Sequence, residues 1–186
     1  MPGRLGFTGR LSDARKNLGL LLDAMALCKL SGLEVTAELI GGEGDSSLRE
    51  AIAGRGLAEA VKIVPFVERH ELVRRLQTFD LFVLPSHQEG LCISALEAMA
   101  CGCPVVSTRC GGPEEYVTER SGELVGFDAA EMARAIGRIV DDRSLRASLS
   151  EGARAIIDEC YNPALAKKTF WKAFDETFDQ AREGVS

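Results

Sequence analysis

Short runs of β-type residues alternate with helical patterns along most of this chain, and no hairpin signal joins one run to the next. "LEVTAELIGG" at 33–42 is followed by "SSLREAIAGRG" at 46–56, and "AVKIVPFV" at 60–67 by "ERHELVRRLQTF" at 68–79. "DLFVLPS" at 80–86 and "PVVST" at 104–108 are apolar without alternation, which suits strands buried on both faces. Strands joined through helices pair in parallel, and right-handed crossovers put helices on both sides of the sheet. The pattern therefore predicts an α/β fold: a Rossmann-like, doubly wound parallel sheet of about six strands followed by C-terminal helices.

The remaining segments fit that scheme. "RLGFTGRL" at 4–11 reads as a strand ending in a turn, and "KNLGLLLDAMALCKL" at 16–30 as a helix with apolar residues at roughly helical spacing. A helix over 91–101, a turn in "GGPEEYV" at 111–117, a strand "GELVGF" at 122–127 and helices over 129–141, 143–159 and 163–182 complete the reading. The 186 residues suffice for one good core and are short for two, so a single domain is the simplest organisation.

Composition excludes several classes. The net charge of −6 argues against a nucleic-acid module, and an anionic ligand has to find a local cationic patch. No apolar stretch approaches the roughly 18 residues of a membrane span, and "MPGRLGFTGRL" lacks the apolar core of a signal peptide. The six cysteines sit mostly in apolar segments and read as packed free thiols in a reducing cytoplasm. "CGC" at 101–103 is not a zinc spacing and only two histidines are present, so no metal site is expected.

In open parallel sheets, ligands bind beyond the carboxyl ends of the strands. Residues just after strands are then the candidates: Arg10 and Lys16, Gly41 to Gly44, Ser86 to Leu91, and Gly111 to Glu115. The segment "SHQEGLCISALEAMACG" at 86–102 carries most of the chemistry. If its helix begins near Gly90 or Leu91, the first amides have no intrahelical partner and can hold phosphate. At about 3.6 residues per turn, Gly90, Ser94 and Glu97 then share one helix face, with Glu89 at the helix mouth. Carboxylates accept hydrogen bonds from sugar hydroxyls, whereas they repel phosphate. A ligand with phosphate in the middle and polyols at both ends, a nucleotide-sugar, satisfies both demands. Arg10 and Lys16 would supply its countercharge.

"EGLCISALEAMACGCPVVSTRCGGPEEYV" resembles the E-x7-E region of retaining family 4 glycosyltransferases of the GT-B fold, "GRLSDARKN" at 9–17 their arginine–lysine segment, and "LIGGEG" at 39–44 their glycine turn. The resemblance covers nearly the whole chain and is to the C-terminal, donor-binding half only; an N-terminal acceptor-binding domain would have to act in cis or in trans. It implies that Arg10 and Lys16 bind the diphosphate of a UDP- or GDP-sugar and that Glu89 holds the sugar hydroxyls. It further implies that Glu97 holds the ribose and that Gly90, Leu91, Cys92 and Ile93 offer backbone amides. On the same resemblance Gly41 and Gly42 would keep the backbone close, and Pro65, Phe66 and Val67 would border the base. Transfer with retention needs no metal or other cofactor in this family, and no Asp-x-Asp loop is present. The family commonly reads EGFG where this chain has "EGLC", so Cys92 puts a side chain near the phosphate path.

Two other functions stay open: a nucleotide-sugar-binding subunit or regulatory module without activity of its own, and, more distantly, a Rossmann dehydrogenase. "GGEG" at 41–44 lacks the dinucleotide fingerprint. Ser86 reads as a cap, His87 as a bystander or gate, and Glu114 and Glu115 as either sugar contacts or caps of their own turn. The C-terminal helix carries Phe170, Trp171, Phe174 and Phe178 among Lys167, Lys168 and Lys172, a mixture of core packing and an exposed face. Its character allows a peripheral membrane position in a full-length protein.

Overall fold

The computed structural model describes residues 3–183, with side chains for all of these except Pro163 and 175–183. The elements run β1 (Gly3–Thr8), α1 (Leu18–Leu30), β2 (Val35–Ile40), α2 (Ser46–Gly54), β3 (Val61–Val64), α3 (Arg69–Leu76) and β4 (Leu81–Leu84). They continue through α4 (Ile93–Ala100), β5 (Val105–Thr108), β6 (Gly122–Val125), α5 (Ala129–Asp141), α6 (Arg143–Cys160) and α7 (Pro163–Glu183). Short 3-10 turns form at Ala14–Lys16 and Gly112–Glu115.

All six strands are parallel, in the order β3-β2-β1-β4-β5-β6. The expected doubly wound sheet is thus present. Chain order runs outward in both directions from the β1–β4 boundary. Right-handed crossovers therefore place α1 and α2 on one face and α3 and α4 on the other. α5 returns to the first face and packs along α1, while α6 packs on α4. β1 and β4 pair at Leu5–Leu81 and Gly6–Phe82, and both strands run on past that stretch. The loops that leave them part in opposite directions, which opens a crevice at the reversal of strand order.

Burial explains why these runs are strands. Every residue of β4 and of β5 is buried, as expected of central strands covered on both faces. Leu5, Phe7, Leu39, Leu81, Phe82, Val83, Val105 and Val106 are all at most 1% exposed. Each such leucine contributes about 1.5–3 kcal/mol by leaving water. Aspartates start α2, α5 and α6: the side chain of Asp45 accepts from Leu48 N–H, that of Asp128 from Glu131 N–H, and that of Asp142 from Ser144 and Leu145 N–H.

Two details fix the helix that follows β4. Ser150 Oγ on α6 donates to the Gly102 carbonyl at 2.6 Å, and the Arg154 guanidinium donates to the Cys101 carbonyl at 3.2 Å. These satisfy carbonyls that the carboxyl end of α4 leaves without intrahelical partners. α7 departs from this packing. Phe170, Trp171 and Phe174 are exposed and contact one another's rings at 5.5–6.2 Å, so the exposed part of the expected mixture dominates here. The side chain of Phe178 lies outside those described.

Candidate functional site

The loop after β1 is built to aim a lysine. Gly9 N–H still donates to Ile40, extending the sheet by one bond. Asp13 then caps the 3-10 turn by accepting from Arg15 N–H at 3.0 Å and pairs with the Arg15 guanidinium at 2.6 Å. The Arg15 side chain beside it holds the Asp13 carboxyl below its ordinary range. Asn17 ends the turn in the left-handed region (φ 49°), which asparagine tolerates better than most residues. Lys16, between them, reaches back over the crevice, and its Nζ donates to Glu89 Oε1 at 2.7 Å.

The loop after β4 brings Glu89 to the same place. Ser86, fully buried, donates its hydroxyl to Glu89 Oε1 at 2.6 Å. Thr108 at the end of β5 donates in turn to the Ser86 carbonyl. Oε1 therefore takes two donors, while Oε2 has no partner among the described residues. The Lys16 and Glu89 side chains are only 14% and 8% exposed, so this ion pair is partly desolvated and each group depends on the other.

Backbone bonds hold this loop against the one after β5. Glu89 N–H donates to Cys110, Gly112 N–H donates to Glu89, and Glu89 faces Gly111 in a parallel bridge. A Cβ on Gly112 would sit 1.6 Å from the Gly90 carbonyl oxygen, so no other residue fits there. Gly41 plays the corresponding part on the other side. At φ 132°, its missing Cβ would lie 2.1 Å from the Gly9 carbonyl oxygen, which locks the β2 turn against the β1 turn.

The helix itself begins later than the sequence suggests. α4 starts at Ile93, and Cys92 caps it in the left-handed region (φ 55°, ψ 72°). The buried Tyr116 explains the delay: its hydroxyl donates to the Leu91 carbonyl at 2.8 Å and to the Cys92 carbonyl at 3.2 Å, pinning these residues as a turn. Gly90 thus lies outside the helix. The expected face of Gly90, Ser94 and Glu97 reduces to Ser94 and Glu97, one turn apart. The amides of residues 90–94 donate to no acceptor among the described residues, and nothing lies within 4 Å of where a Gly90 side chain would be. A left-handed residue followed by a right-handed helix forms a concave set of N–H groups suited to an anion. The Cys92 side chain packs against the core with Sγ 3.5 Å from Ser94 Oγ, and burial pushes its thiol pKa up.

The other candidates are more dispersed. Arg10 shares the loop of Lys16 and is exposed, with no ion-pair partner among the described residues. Glu97 is partly exposed and likewise unpaired there. Pro65, Phe66 and Val67 follow β3 at the sheet edge; Phe66 is 76% exposed, and Val67 packs against the core. His87 is exposed, with its ring 5.7 Å from that of Phe127, and its backbone N–H donates to the Arg15 carbonyl. Glu114 accepts from Gly111 N–H at 3.0 Å, so it caps its own turn. No group of three or more His, Cys, Asp or Glu side chains among the described residues could hold a metal ion. None of the helices searched there is long and apolar enough to cross a membrane. Of the residues singled out in the sequence, Lys16, Glu89 and the turn at 90–93 meet at the crevice. Ser86 and Gly112 lie in the stretches expected after strands, and together with Tyr116, which was not a candidate, they hold that arrangement.

Comparison with known proteins bears on the family and the fold. The family model for glycosyl transferases group 1 matches residues 2–156. Over 161 residues the chain is 34% identical to D-inositol 3-phosphate glycosyltransferase of Salinispora arenicola, covering 81% of this chain and 36% of that protein. The chain spans about a third of the length of several such curated relatives. Among solved structures, Anabaena Alr3699/HepE in complex with UDP-glucose superposes with a TM-score of 0.83 at 27% identity, covering 94% of this chain and 49% of that one. The C-terminal domain of the glycosyl transferase group 1 family protein LpcC from Francisella tularensis superposes with a TM-score of 0.75 at 25% identity, covering 88% and 89%. The six-stranded Rossmann-like sheet is that of a GT-B glycosyltransferase domain, and the chain belongs to the glycosyl transferases group 1 family.

Proposed function

We propose that this chain is the donor-binding half of a retaining, family 4-like glycosyltransferase and that its ligand is a nucleotide-diphosphate sugar. The observation that carries this reading is the juxtaposition of Lys16, the half-satisfied carboxylate of Glu89 and the unpaired amides of 90–94 at the sheet's switch point. The amides and Lys16, with Arg10 beside them, neutralise the diphosphate and stabilise it as it leaves. Glu89 Oε2 accepts from a hydroxyl of the sugar, and Glu97 from the ribose. The turns at Gly41–Gly42 and Pro65–Val67 border the nucleoside. The binding of UDP-glucose by the similar Alr3699/HepE supports a nucleotide-sugar over a dinucleotide. These residues supply charge and position without a metal, and the free thiols suit the cytoplasm.

Binding without independent transfer is the second reading, since Lys16, Glu89 and the turn at 90–93 account for a donor site and none of them is assigned to an acceptor. An acceptor-binding half, in cis or in trans, would complete the reaction. Calorimetric titration with UDP, GDP, ADP and their sugar conjugates tests the donor site, with Glu97→Ala as control. The expected result is binding of one nucleotide series, weakened by the substitution on the order of tenfold. A folded protein that binds none of them would refute the proposal. Transfer only after an acceptor domain is added would establish the split activity, and saturable binding without transfer would favour the second reading.

A further inference from the structure

Cys92 holds a conformation that costs an L-residue energy, at the point where the open amides begin. Strained residues persist where their surroundings over-determine them. The Cys92 side chain packs on the core and its carbonyl accepts from Ala95 and Leu96 N–H, and the side chain that reaches this turn's backbone from elsewhere in the chain is Tyr116, 1% exposed and 24 residues away. Its ring rests edge-on against Tyr161 at 5.7 Å. Its hydroxyl reaches two successive carbonyls, those of Leu91 and Cys92. Burial, foremost, pushes the phenol pKa up, so the proton stays on the oxygen as a donor. In a planar trans peptide, N–H points opposite to C=O. Drawing these two carbonyls toward the buried phenol therefore turns the Cys92 and Ile93 N–H groups away from it, into the open turn.

We propose that Tyr116 is a positioning residue for the phosphate site: by holding the Leu91 and Cys92 carbonyls, it keeps Cys92 left-handed and the Cys92 and Ile93 amides aimed at the diphosphate. The proposal rests on the donor-site reading above. It also accounts for a non-glycine residue at this position: the hydroxyl confines a turn that Cys92 alone would leave. Glycine visits the left-handed region freely, so a turn with glycine there depends less on the hydroxyl.

The test compares Tyr116→Phe, Cys92→Gly and the double variant, titrated with UDP, GDP and ADP and with the parent nucleosides. Tyr116→Phe should weaken the nucleoside diphosphate that binds by about fivefold while leaving its nucleoside unchanged. In the Cys92→Gly background, the same substitution should cost less than about twofold. Equal losses for nucleoside and diphosphate, an equal loss in both backgrounds, or no loss would overturn the proposal. If Tyr116→Phe fails to fold and the double variant folds, the coupling stands; if neither folds, the hydroxyl is a general structural group and the proposal fails. Wild-type protein that binds no nucleotide at all defeats the donor-site reading itself, and this proposal with it.

Discussion

At the residue scale, the site is a carboxylate held in one pose by two donors. Lys16 supplies charge to Glu89 Oε1, and Ser86 supplies direction from a fully buried position. Removing the Ser86 hydroxyl leaves Glu89 paired but freer to turn. Ser86→Ala should therefore reduce the affinity advantage of a sugar conjugate over its free nucleotide by about three- to tenfold, at a stability cost of about 1 kcal/mol. Paired titrations of conjugate and nucleotide check this, and an unchanged ratio would remove Ser86 from the positioning of the carboxylate. Lys16 and Glu89 were legible in the sequence because each follows a strand in a recognisable motif. Gly112 fell within the candidate stretch 111–115 without its close approach to Gly90 being visible, and Tyr116 was not a candidate at all, because what they meet is backbone carbonyl oxygen reached across 22 or more residues, which leaves no periodicity to read. The glycine doublet after a buried strand was the available cue to a close backbone approach.

At the element scale, the strands were the most legible part, since a central strand buried on both faces needs an unbroken apolar run and β4 and β5 have one. The start of α4 was misplaced by two to three residues because "EGLCIS" carries its one breaker at Gly90 and none between it and Ile93. The stop signal there is a tertiary hydrogen bond, which local propensity does not encode. The far end of α4 is fixed from outside as well, by Ser150 and Arg154 of α6. Ser150→Ala leaves the Gly102 carbonyl without that donor. It should cost about 1 kcal/mol and lower the midpoint of thermal unfolding by roughly 2–4 °C. Calorimetry that shows no shift would mean that water replaces the hydroxyl and that α6 braces α4 through packing alone.

At the scale of the whole molecule, the fold gathers the candidate site at one end of the sheet and spreads its thiols over that end and the rest of the chain. All six cysteines are free, and their environments differ in a way that labelling can resolve. Burial, foremost, pushes the Cys28 thiol up to about 11, and it raises Cys92, Cys101, Cys103 and Cys110 as well. The thiolate is the nucleophile, so a raised pKa leaves less of it near pH 8, and burial also blocks the reagent. Cys160, at the end of α6, is exposed and open to the reagent. Native protein treated with N-ethylmaleimide should therefore be modified first at Cys160. The five others should follow only as the chain opens, and all six should react promptly in denaturant. Of these five, Cys92 alone lies in the proposed diphosphate turn, so a bound nucleotide should slow its modification beyond the slowing seen at Cys103. Mass mapping of the labelled peptides decides the matter. Labelling of Cys103 as fast as Cys160 would contradict the burial of β5's entry into the sheet, and equal slowing of Cys92 and Cys103 by nucleotide would mean that the ligand stabilises the fold without occupying the turn.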